Sequence, residues 1–214
     1  MLSLFLLIAC SSKDTTGFAG GGADAEVWDI EDSDEPDDTS GPMEFERGRP
    51  VNVLMISWDT TRPDRLGRFD AEGGAETDTL GALFDDGVVF TDHRSCSNWT
   101  WASTLCAQTG QYDFEIGWIP TSAVEYQVPV PDSFEMAGEV LAEQGYQTAM
   151  ASTNSWFSEN LNMVQGVHLS EHDRVAEAEW VIDTALGWFE SGDLDPAEPW
   201  YLHTHFMDPH IPFT

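Results

Sequence analysis

Basic residues are scarce in this chain, and lysine is nearly absent. Eight Lys and Arg stand against 39 Asp and Glu, which gives a formal net charge of −31, and Lys13 is the single lysine. No nucleic-acid partner is expected, because proteins that bind nucleic acid neutralise its phosphates with clustered basic side chains. The acidic surface also repels anionic substrates, unless a bound cation reverses the local field or concentrated salt screens it.

The chain also lacks a continuous apolar run of the roughly 20 residues that a membrane-spanning helix needs. Its first ten residues, MLSLFLLIAC, form a shorter apolar run that predicts the signal segment of an exported protein. Their end resembles a bacterial lipobox, so Cys10 is expected to carry a lipid and to anchor the chain to a membrane of the bacterial cell envelope. The alternative is an apolar terminus with an incidental cysteine, which the absence of basic residues before the run favours.

Cysteine is rare as well, with three residues in the whole chain. Besides Cys10, only Cys96 and Cys106 are available for a disulfide, which an exported protein could form. Their separation of ten residues says nothing about whether the geometry allows it.

Residues 11–49 contain twelve acidic and three basic residues and show no apolar periodicity. This composition is typical of a solvated, disordered linker. The remainder, residues 50–214, is expected to form one domain, since 41% hydrophobic residues and nine Trp can supply one sizeable core.

Helical and extended patterns alternate after residue 50. A nearly continuous apolar run, VNVLMISW, indicates a strand buried on both faces of a sheet. The alternation predicts an α/β fold with a mainly parallel sheet flanked by helices. The predicted elements are a strand at 51–58, a helix around 80–84, a strand at 88–91, a helix at 134–141, a strand at 148–152, a helix at 175–189 and a strand at 200–206.

Asp59 directly follows the first predicted strand. Ligands gather at the carboxyl ends of parallel strands, so an acid at this position could hold a cation or a catalytic group. An Asp that caps the next turn fits the local sequence equally well.

A hydroxyl-rich stretch at 98–104, NWTWAST, leads into a short predicted helix that ends near Gly110. Hydroxyl groups at a helix start usually cap it. The same position would place Thr100 and Ser103 beside free backbone N–H groups, which suits a nucleophile that attacks a tetrahedral oxyanion. The sequence leaves both interpretations open.

Three histidines lie within eight residues near the end of the chain. His203 and His205 share one face of the last predicted strand, and Asp208 and His210 follow it. Single histidines are commonly structural, but this density beside an Asp predicts a cluster that binds metal or transfers protons.

Four segments, in this order, resemble the sulfatase family of the alkaline phosphatase superfamily. NVLMISWDTTRPDRLGRF is similar to its opening strand and metal loop, GVVFTDHRSCSNWTWASTLCAQTGQY to its nucleophile segment, EVLAEQGYQTAMAS to the next helix and strand, and PWYLHTHFMDPHIPF to its later histidine motif. The resemblance spans about residues 51–214. It implies the N-terminal part of an alkaline-phosphatase-like domain that is incomplete at its C-terminus, because the family's second metal-binding Asp would lie beyond Thr214.

The resemblance implies a role for several residues. Asp59 matches a metal-binding Asp of the family, and Thr60 stands where many members have a second one. Thr100 matches the nucleophile of the C-x-P-S-R signature, so no Cys-derived formylglycine is expected. His210 matches a substrate-contacting His, and His205 is a possible second contact.

Two departures concern the charges that would hold a sulfate. Thr104 replaces the family's Arg beside the nucleophile, and the domain contains no Lys. Arg62 or Arg65 would have to compensate.

The implied activity is metal-dependent hydrolysis of sulfate esters of a small molecule or a glycan. Ca²⁺ is the expected metal, with Mg²⁺ and Zn²⁺ as alternatives. A Thr nucleophile also occurs in related phosphodiesterases and phosphotransferases, which keeps phosphate esters open as substrates. The alternative from another class is a truncated, non-catalytic sulfatase-like lipoprotein.

Overall fold

Strands and helices alternate along most of the described chain. The computed structural model describes residues 51–62, 65–66, 77–86, 88–90, 93–112, 115 and 129–210, together with the backbone of 4–9. Cys10 and the predicted linker at 11–49 lie outside these residues. The elements are β1 Leu4–Ala9, β2 Val53–Trp58, α1 Asp78–Asp86, α2 Thr100–Thr109, α3 Ala137–Glu143, β3 Gln147–Ser152, a 3-10 turn Glu159–Leu161, β4 Leu169–His172, α4 Ala178–Ser191 and β5 Trp200–Phe206.

The five strands form one sheet in the order β1-β2-β5-β3-β4, and every neighbouring pair is parallel. This arrangement confirms the predicted α/β fold with a parallel sheet flanked by helices. In the central strand β5, His205 lies opposite Ser57 of β2 on one side and opposite Ser152 of β3 on the other. The carboxyl ends of the three central strands therefore meet at one edge of the sheet.

Helix α4 covers one face of the sheet. Its buried side chains are Val181, Ala185 and Trp188, which pack with Ala149 and Ala151 of β3 and with Leu202 of β5. Apolar side chains that leave water on both elements supply the main stabilising free energy, about 25 cal/mol per Å² of apolar surface.

Helix α2 lies against the opposite face. Gln108 near its end contacts Tyr201 and His203 of β5, and Trp101, Ala102 and Leu105 are buried in a second cluster with Met136 and Met163. Gly110 ends the helix with a φ of 67°, as predicted, because its N–H bonds back to the carbonyl of Cys106 in a conformation that a side chain disfavours.

The strand predicted at 88–91 is wrong where the structure describes it. Residues 88–90 have no strand hydrogen bonding, and Val88 and Phe90 are exposed by 64% and 71%. An extended apolar segment becomes a strand only where a neighbour offers its backbone groups. Conversely, β4 was not predicted, because its four residues LSEH carry no apolar pattern.

The apolar stripe predicted on the third helix is wrong in part. Val175 precedes α4 and is 80% exposed, and Ile182 and Leu186 are exposed. Trp188 is buried instead. The face of the helix that packs on the sheet is therefore Val181, Ala185 and Trp188, which contact Ala149 and Ala151 of β3.

Residues of the predicted signal segment occupy one edge of the sheet. Strand β1 pairs in parallel with β2, from Leu4 opposite Val53 to Ala9 opposite Trp58. Within the described part of the chain, no helix is long and apolar enough to cross a membrane. The signal segment and its cleavage remain predictions.

Candidate functional site

The carboxyl ends of β2, β5 and β3 are held side by side beyond the strands themselves. The N–H of Asp59 donates to the carbonyl of Phe206 at 2.9 Å, and the N–H of Thr153 donates to the carbonyl of His205 at 3.1 Å. These bonds extend the ladder by one residue, so Asp59 and Asn154 emerge close together at this edge.

Asp59 is the centre of the site and is only 2% exposed. Its Oδ2 accepts a hydrogen bond from Thr100 Oγ1 at 2.8 Å and a longer one from Asn154 Nδ2 at 3.4 Å. His205 Nε2 lies 3.4 Å from the same oxygen. Side chains from α2, from the loop after β3 and from β5 therefore converge on one carboxylate oxygen.

The surroundings keep Asp59 ionised. Burial raises its pKa, but the contact and charge of His205, the hydroxyl of Thr100 and the charge of His210 together outweigh burial, so the pKa of Asp59 lies below its ordinary value. At neutral pH the carboxylate is an acceptor with a negative charge.

Thr100 is the first residue of α2, and its hydroxyl is directed at Asp59. The N-cap residue, Trp99, makes no side-chain capping bond. Ser103 instead turns its hydroxyl back to the carbonyls of Trp99 and Thr100, both at 3.1 Å. Of the two hydroxyls considered from the sequence, Thr100 therefore faces the site and Ser103 does not.

The two histidines of β5 are linked to each other through one serine. Ser57 Oγ lies 2.8 Å from His203 Nε2 and 2.7 Å from His205 Nδ1. The buried Phe157 ring contacts both, with centroids 5.5 Å from His203 and 4.6 Å from His205. Burial, with the charge of His205, lowers the pKa of His203 to about 3, so His203 is neutral in the fold.

The predicted cluster of three histidines and Asp208 does not form as one metal site. Asp208 is exposed, and its Oδ1 accepts the N–H of Ala178 at the start of α4 at 3.0 Å. Among the residues that the structure describes, no three His, Cys, Asp or Glu side chains are arranged to hold a metal ion. Asp208 therefore caps a helix, and His203 is a buried structural group.

Thr60 joins the loop after β2 to the loop after β5. Its hydroxyl donates to the carbonyl of Pro209 at 2.9 Å, and its φ of 57° lies in the left-handed region that β-branched residues rarely adopt. Such strain is common at functional sites. Arg62 and His210 lie in the same two loops and are partly buried. The roles that the resemblance implies for Thr60, Arg62 and His210 remain predictions.

Among the described residues, Asp59 is the one that could hold a divalent cation. Asp59 contributes one carboxylate, whereas Ca²⁺ takes six to eight oxygen ligands. One buried polar atom two residues after Asp59, Thr61 Oγ1, has no hydrogen-bond partner within the described chain. Such atoms are uncommon in folded proteins, and they fit a site that a bound group completes.

A disulfide connects the chain before α2 to the helix itself. Cys96 and Cys106 are bonded, with their Cα atoms 6.4 Å apart. The bridge ties the chain just before Thr100 to the body of α2, which restricts the start of this helix.

Three contributors to the site were not recognised in the sequence: Ser57, Gln108 and Asn154. Ser57 had a signal, because it stands two residues before Asp59 and therefore on the same face of β2. Asn154 also had one, since it follows β3 as Asp59 follows β2. Gln108 had none, because its contact with His203 joins residues 95 positions apart.

A parallel sheet flanked by helices, with the buried carboxylate of Asp59 bonded to the hydroxyl of Thr100 at its carboxyl edge, defines an α/β protein. The sulfatase family matches residues 51–214, and the chain belongs to the sulfatase family. None of the curated proteins matches the chain.

Two solved structures share the fold. The crystal structure of Ps i-CgsB in complex with k-i-k-neocarrahexaose matches with a TM-score of 0.56 and 16% identity, over 77% of this chain and 46% of that one. Phosphonate monoester hydrolase of Agrobacterium radiobacter matches with a TM-score of 0.55 and 19% identity, over 77% of this chain and 42% of the hydrolase. The chain thus spans less than half the length of either protein.

Proposed function

We propose that this chain supplies the nucleophile side of the active site in a metal-dependent hydrolase of sulfate esters. The observation that carries the proposal is the 2.8 Å hydrogen bond from Thr100 Oγ1 to Asp59 Oδ2 at the start of α2. Membership of the sulfatase family supports the ester class. A glycan substrate is supported by the related fold that binds k-i-k-neocarrahexaose.

In this proposal Thr100 attacks the sulfur in line, so a bond from Oγ1 to sulfur forms while the ester bond to the leaving oxygen breaks. The carboxylate of Asp59 accepts the Thr100 proton along the existing hydrogen bond. The N-terminal end of α2 stabilises the negative charge on the other sulfate oxygens. His210 donates a proton to the leaving oxygen, and water then hydrolyses the sulfated threonine.

Asp59 alone is too weak a base to remove the proton of Thr100. The pKa of Asp59 lies below its ordinary value of about 4, which is itself far below the pKa of an alcohol. A divalent cation bound there would supply the missing acidity, since Zn²⁺ lowers the pKa of a bound water from about 16 to about 7. Asp59 is the described residue that would hold it, with Thr60 as the second position implied by the resemblance. Ca²⁺ is our first choice because the donors are oxygen atoms, with Mg²⁺ or Zn²⁺ as alternatives.

A phosphate or phosphonate ester is the second candidate substrate. One observation favours it: the nucleophile position holds Thr100 and not Cys. The shared fold of phosphonate monoester hydrolase agrees with this alternative.

The test is turnover of aryl sulfate, aryl phosphate and aryl phosphonate by the protein purified from its native source or expressed from its own gene, with each cation added in turn. Thr100→Val removes the hydroxyl at nearly constant volume and is expected to abolish turnover of the preferred ester. Thr100→Ser is expected to retain part of it. Thr109→Val changes the same side chain in the same helix and is expected to have no effect.

Unchanged turnover in Thr100→Val would refute Thr100 as the nucleophile. A wild-type protein that turns over none of the esters with any of the cations would support the non-catalytic alternative. The relative rates for the three esters decide between the two candidate substrates.

We also propose that the mature protein is exported and anchored to the cell envelope through a lipid on Cys10. The short apolar run that ends in LIAC supports this. The Cys96–Cys106 disulfide agrees with it, because disulfides persist in oxidising compartments. The intact mass of the native protein tests the proposal: processing removes the residues before Cys10, including β1, and adds acyl chains, whereas an unprocessed N-terminus would refute it.

A further inference from the structure

A continuous line of polar contacts leads from the far end of α2 to the candidate nucleophile. Gln108 Nε2 lies 3.0 Å from His203 Nδ1. Ser57 Oγ lies 2.8 Å from His203 Nε2 and 2.7 Å from His205 Nδ1. His205 Nε2 lies 3.4 Å from Asp59 Oδ2, which accepts the 2.8 Å hydrogen bond from Thr100 Oγ1.

The first group in the line has only one possible role. The amide nitrogen of Gln108 donates and cannot accept, so His203 Nδ1 must be the acceptor. The orientation of the amide rests on Met55, because Nε2 lies 3.7 Å from Met55 Sδ, which can only accept. The Tyr201 hydroxyl lies 3.3 Å from both Nε2 and Oε1 and fits either orientation. A reversed amide would place its oxygen against the sulfur.

His203 and Ser57 transmit this direction of hydrogen-bond donation to His205. His203 is neutral, so a ring that accepts at Nδ1 carries its proton on Nε2 and donates to Ser57. The Ser57 hydroxyl then donates to His205 Nδ1 at 2.7 Å in preference to the carbonyl of Thr204, which is 3.5 Å away. His205 therefore carries its proton on Nε2, the nitrogen that faces Asp59.

The Asp59 end agrees with this direction, because a carboxylate oxygen needs a donor opposite it. At 3.4 Å, however, the contact is too long to hold the ring by itself. The three shorter bonds from the Gln108 side therefore decide which nitrogen of His205 is protonated.

We propose that Gln108 is a positioning residue: through His203 and Ser57 it holds His205 in the tautomer that presents an N–H to the carboxylate which orients Thr100. The catalytic meaning rests on the proposed function, whereas the tautomers rest on the described contacts alone. The side chain of Gln108 itself does not reach the reacting atoms.

Long-range ¹H–¹⁵N NMR of the ¹⁵N-labelled chain tests the proposal, because a protonated ring nitrogen and a bare one have well-separated shifts. In the wild type at alkaline pH, where imidazole rings are neutral, both His203 and His205 are expected to show a protonated Nε2 and an unprotonated Nδ1. A bare Nε2 on His205, or averaged shifts for its two nitrogens, would overturn the proposal.

Two variants distinguish an effect that Gln108 exerts through the hydrogen bonds to His205, called the relay below, from an effect of simple packing. Gln108→Leu removes the donor without adding charge, and the two nitrogen shifts are expected to move towards each other in His203 and also in His205. Ser57→Ala is expected to have this effect in His205 only, because Gln108 still holds His203. Gln111→Leu, on an exposed residue just beyond the same helix, is the matched control and is expected to change neither ring.

An unchanged His205 in folded Gln108→Leu would refute the relay, since a purely structural Gln108 affects only its direct neighbour. If that variant does not fold, Ser57→Ala and the wild-type shifts still decide. In a catalytically active preparation, Gln108→Leu is expected to lower kcat several-fold and to leave KM unchanged. A failure of the proposed function would appear in the Thr100→Val assay and would leave the ring shifts as they are.

Discussion

Thr100 Oγ1 and Asp59 Oδ2, 41 positions apart in the chain, are joined by a hydrogen bond of 2.8 Å. The bond connects the first residue of α2 to the residue that follows β2, so the start of the helix and the edge of the sheet are fixed relative to each other. Because the acceptor is an ionised carboxylate, the bond belongs to the stronger class of hydrogen bonds.

Loss of this bond is expected to reduce stability as well as activity. Thr100→Val should lower the free energy of unfolding by about 1–2 kcal/mol, since it removes a donor from a buried charge. Thr109→Val, which loses only local bonds to the carbonyl of Leu105 and the N–H of Gln111, should cost less than about 0.5 kcal/mol. Urea unfolding of both variants measures the difference, and equal values would show that the Asp59 bond adds nothing.

His203 is expected to make the protein less stable as the pH falls below neutrality. Its pKa is about 3 in the fold and about 6.5 in the unfolded chain, so its contribution is complete above pH 6.5 and is lost as the pH falls from 6.5 towards 3. Between pH 7 and pH 5 the loss should reach about 2 kcal/mol.

Unfolding of the wild type and of His203→Gln at pH 7, 6 and 5 measures this effect, because glutamine cannot take up the proton. The pH range stays above the window near pH 4 and below, where the ionised Asp59 would lose its own contribution. His172→Gln, on an exposed residue, is the control and should keep the wild-type slope. An identical slope in His203→Gln would contradict the prediction.

Gly166 is expected to tolerate no side chain. Its φ is +72°, and a Cβ would lie against the backbone of Glu139 at the start of α3. Gly166→Ala should therefore cost more than about 2 kcal/mol. Gly145→Ala has a similar φ of +85° but open space around it, and should cost only about 1 kcal/mol. The difference between the melting temperatures of the two variants measures the steric contribution. Equal melting temperatures would show that there is none.

The Cys96–Cys106 disulfide is expected to stabilise the fold by about 3 kcal/mol, because it closes a short loop in the unfolded chain. The double variant Cys96→Ser, Cys106→Ser should lose this amount in urea unfolding. Dithiothreitol should lower the stability of the wild type to that of the double variant and leave the variant unchanged. Insensitivity of the wild type to reductant would show that the bridge contributes nothing.

Local patterns were sufficient for most of the fold. The strand at 51–58 was evident because a strand buried on both faces is apolar at almost every position. The third predicted helix was found, and Val181 and Ala185 of its predicted stripe are buried. Leu186 and Trp188 are both apolar, and only contact with the sheet selects Trp188 as the buried one. The strand predicted at 88–91 failed because hydrogen bonding in a sheet depends on a neighbour that the local sequence does not contain.

The candidate site was predictable only as a set of residue types. The sequence indicated Asp59, Thr100 and His205 through strand ends, a helix start and the family resemblance. The local pattern could not distinguish Thr100 from Ser103, since both are hydroxyls at the start of the same helix, and only the family resemblance favoured Thr100. The structure separates them because one hydroxyl faces Asp59 and the other bonds to its own helix.

By itself, the sequence determined the acidic charge, the alternation of strands and helices, the family and the chemical groups available at the sheet edge. All of these follow from composition or from neighbours within a few residues. Only the tertiary structure decided that Ser57 connects His203 to His205, across 146 and 148 positions, and that Gln108 begins the line that ends at Thr100. The physical reason is that a hydrogen-bond partner is set by where a strand and a helix cross, and no local pattern encodes that crossing.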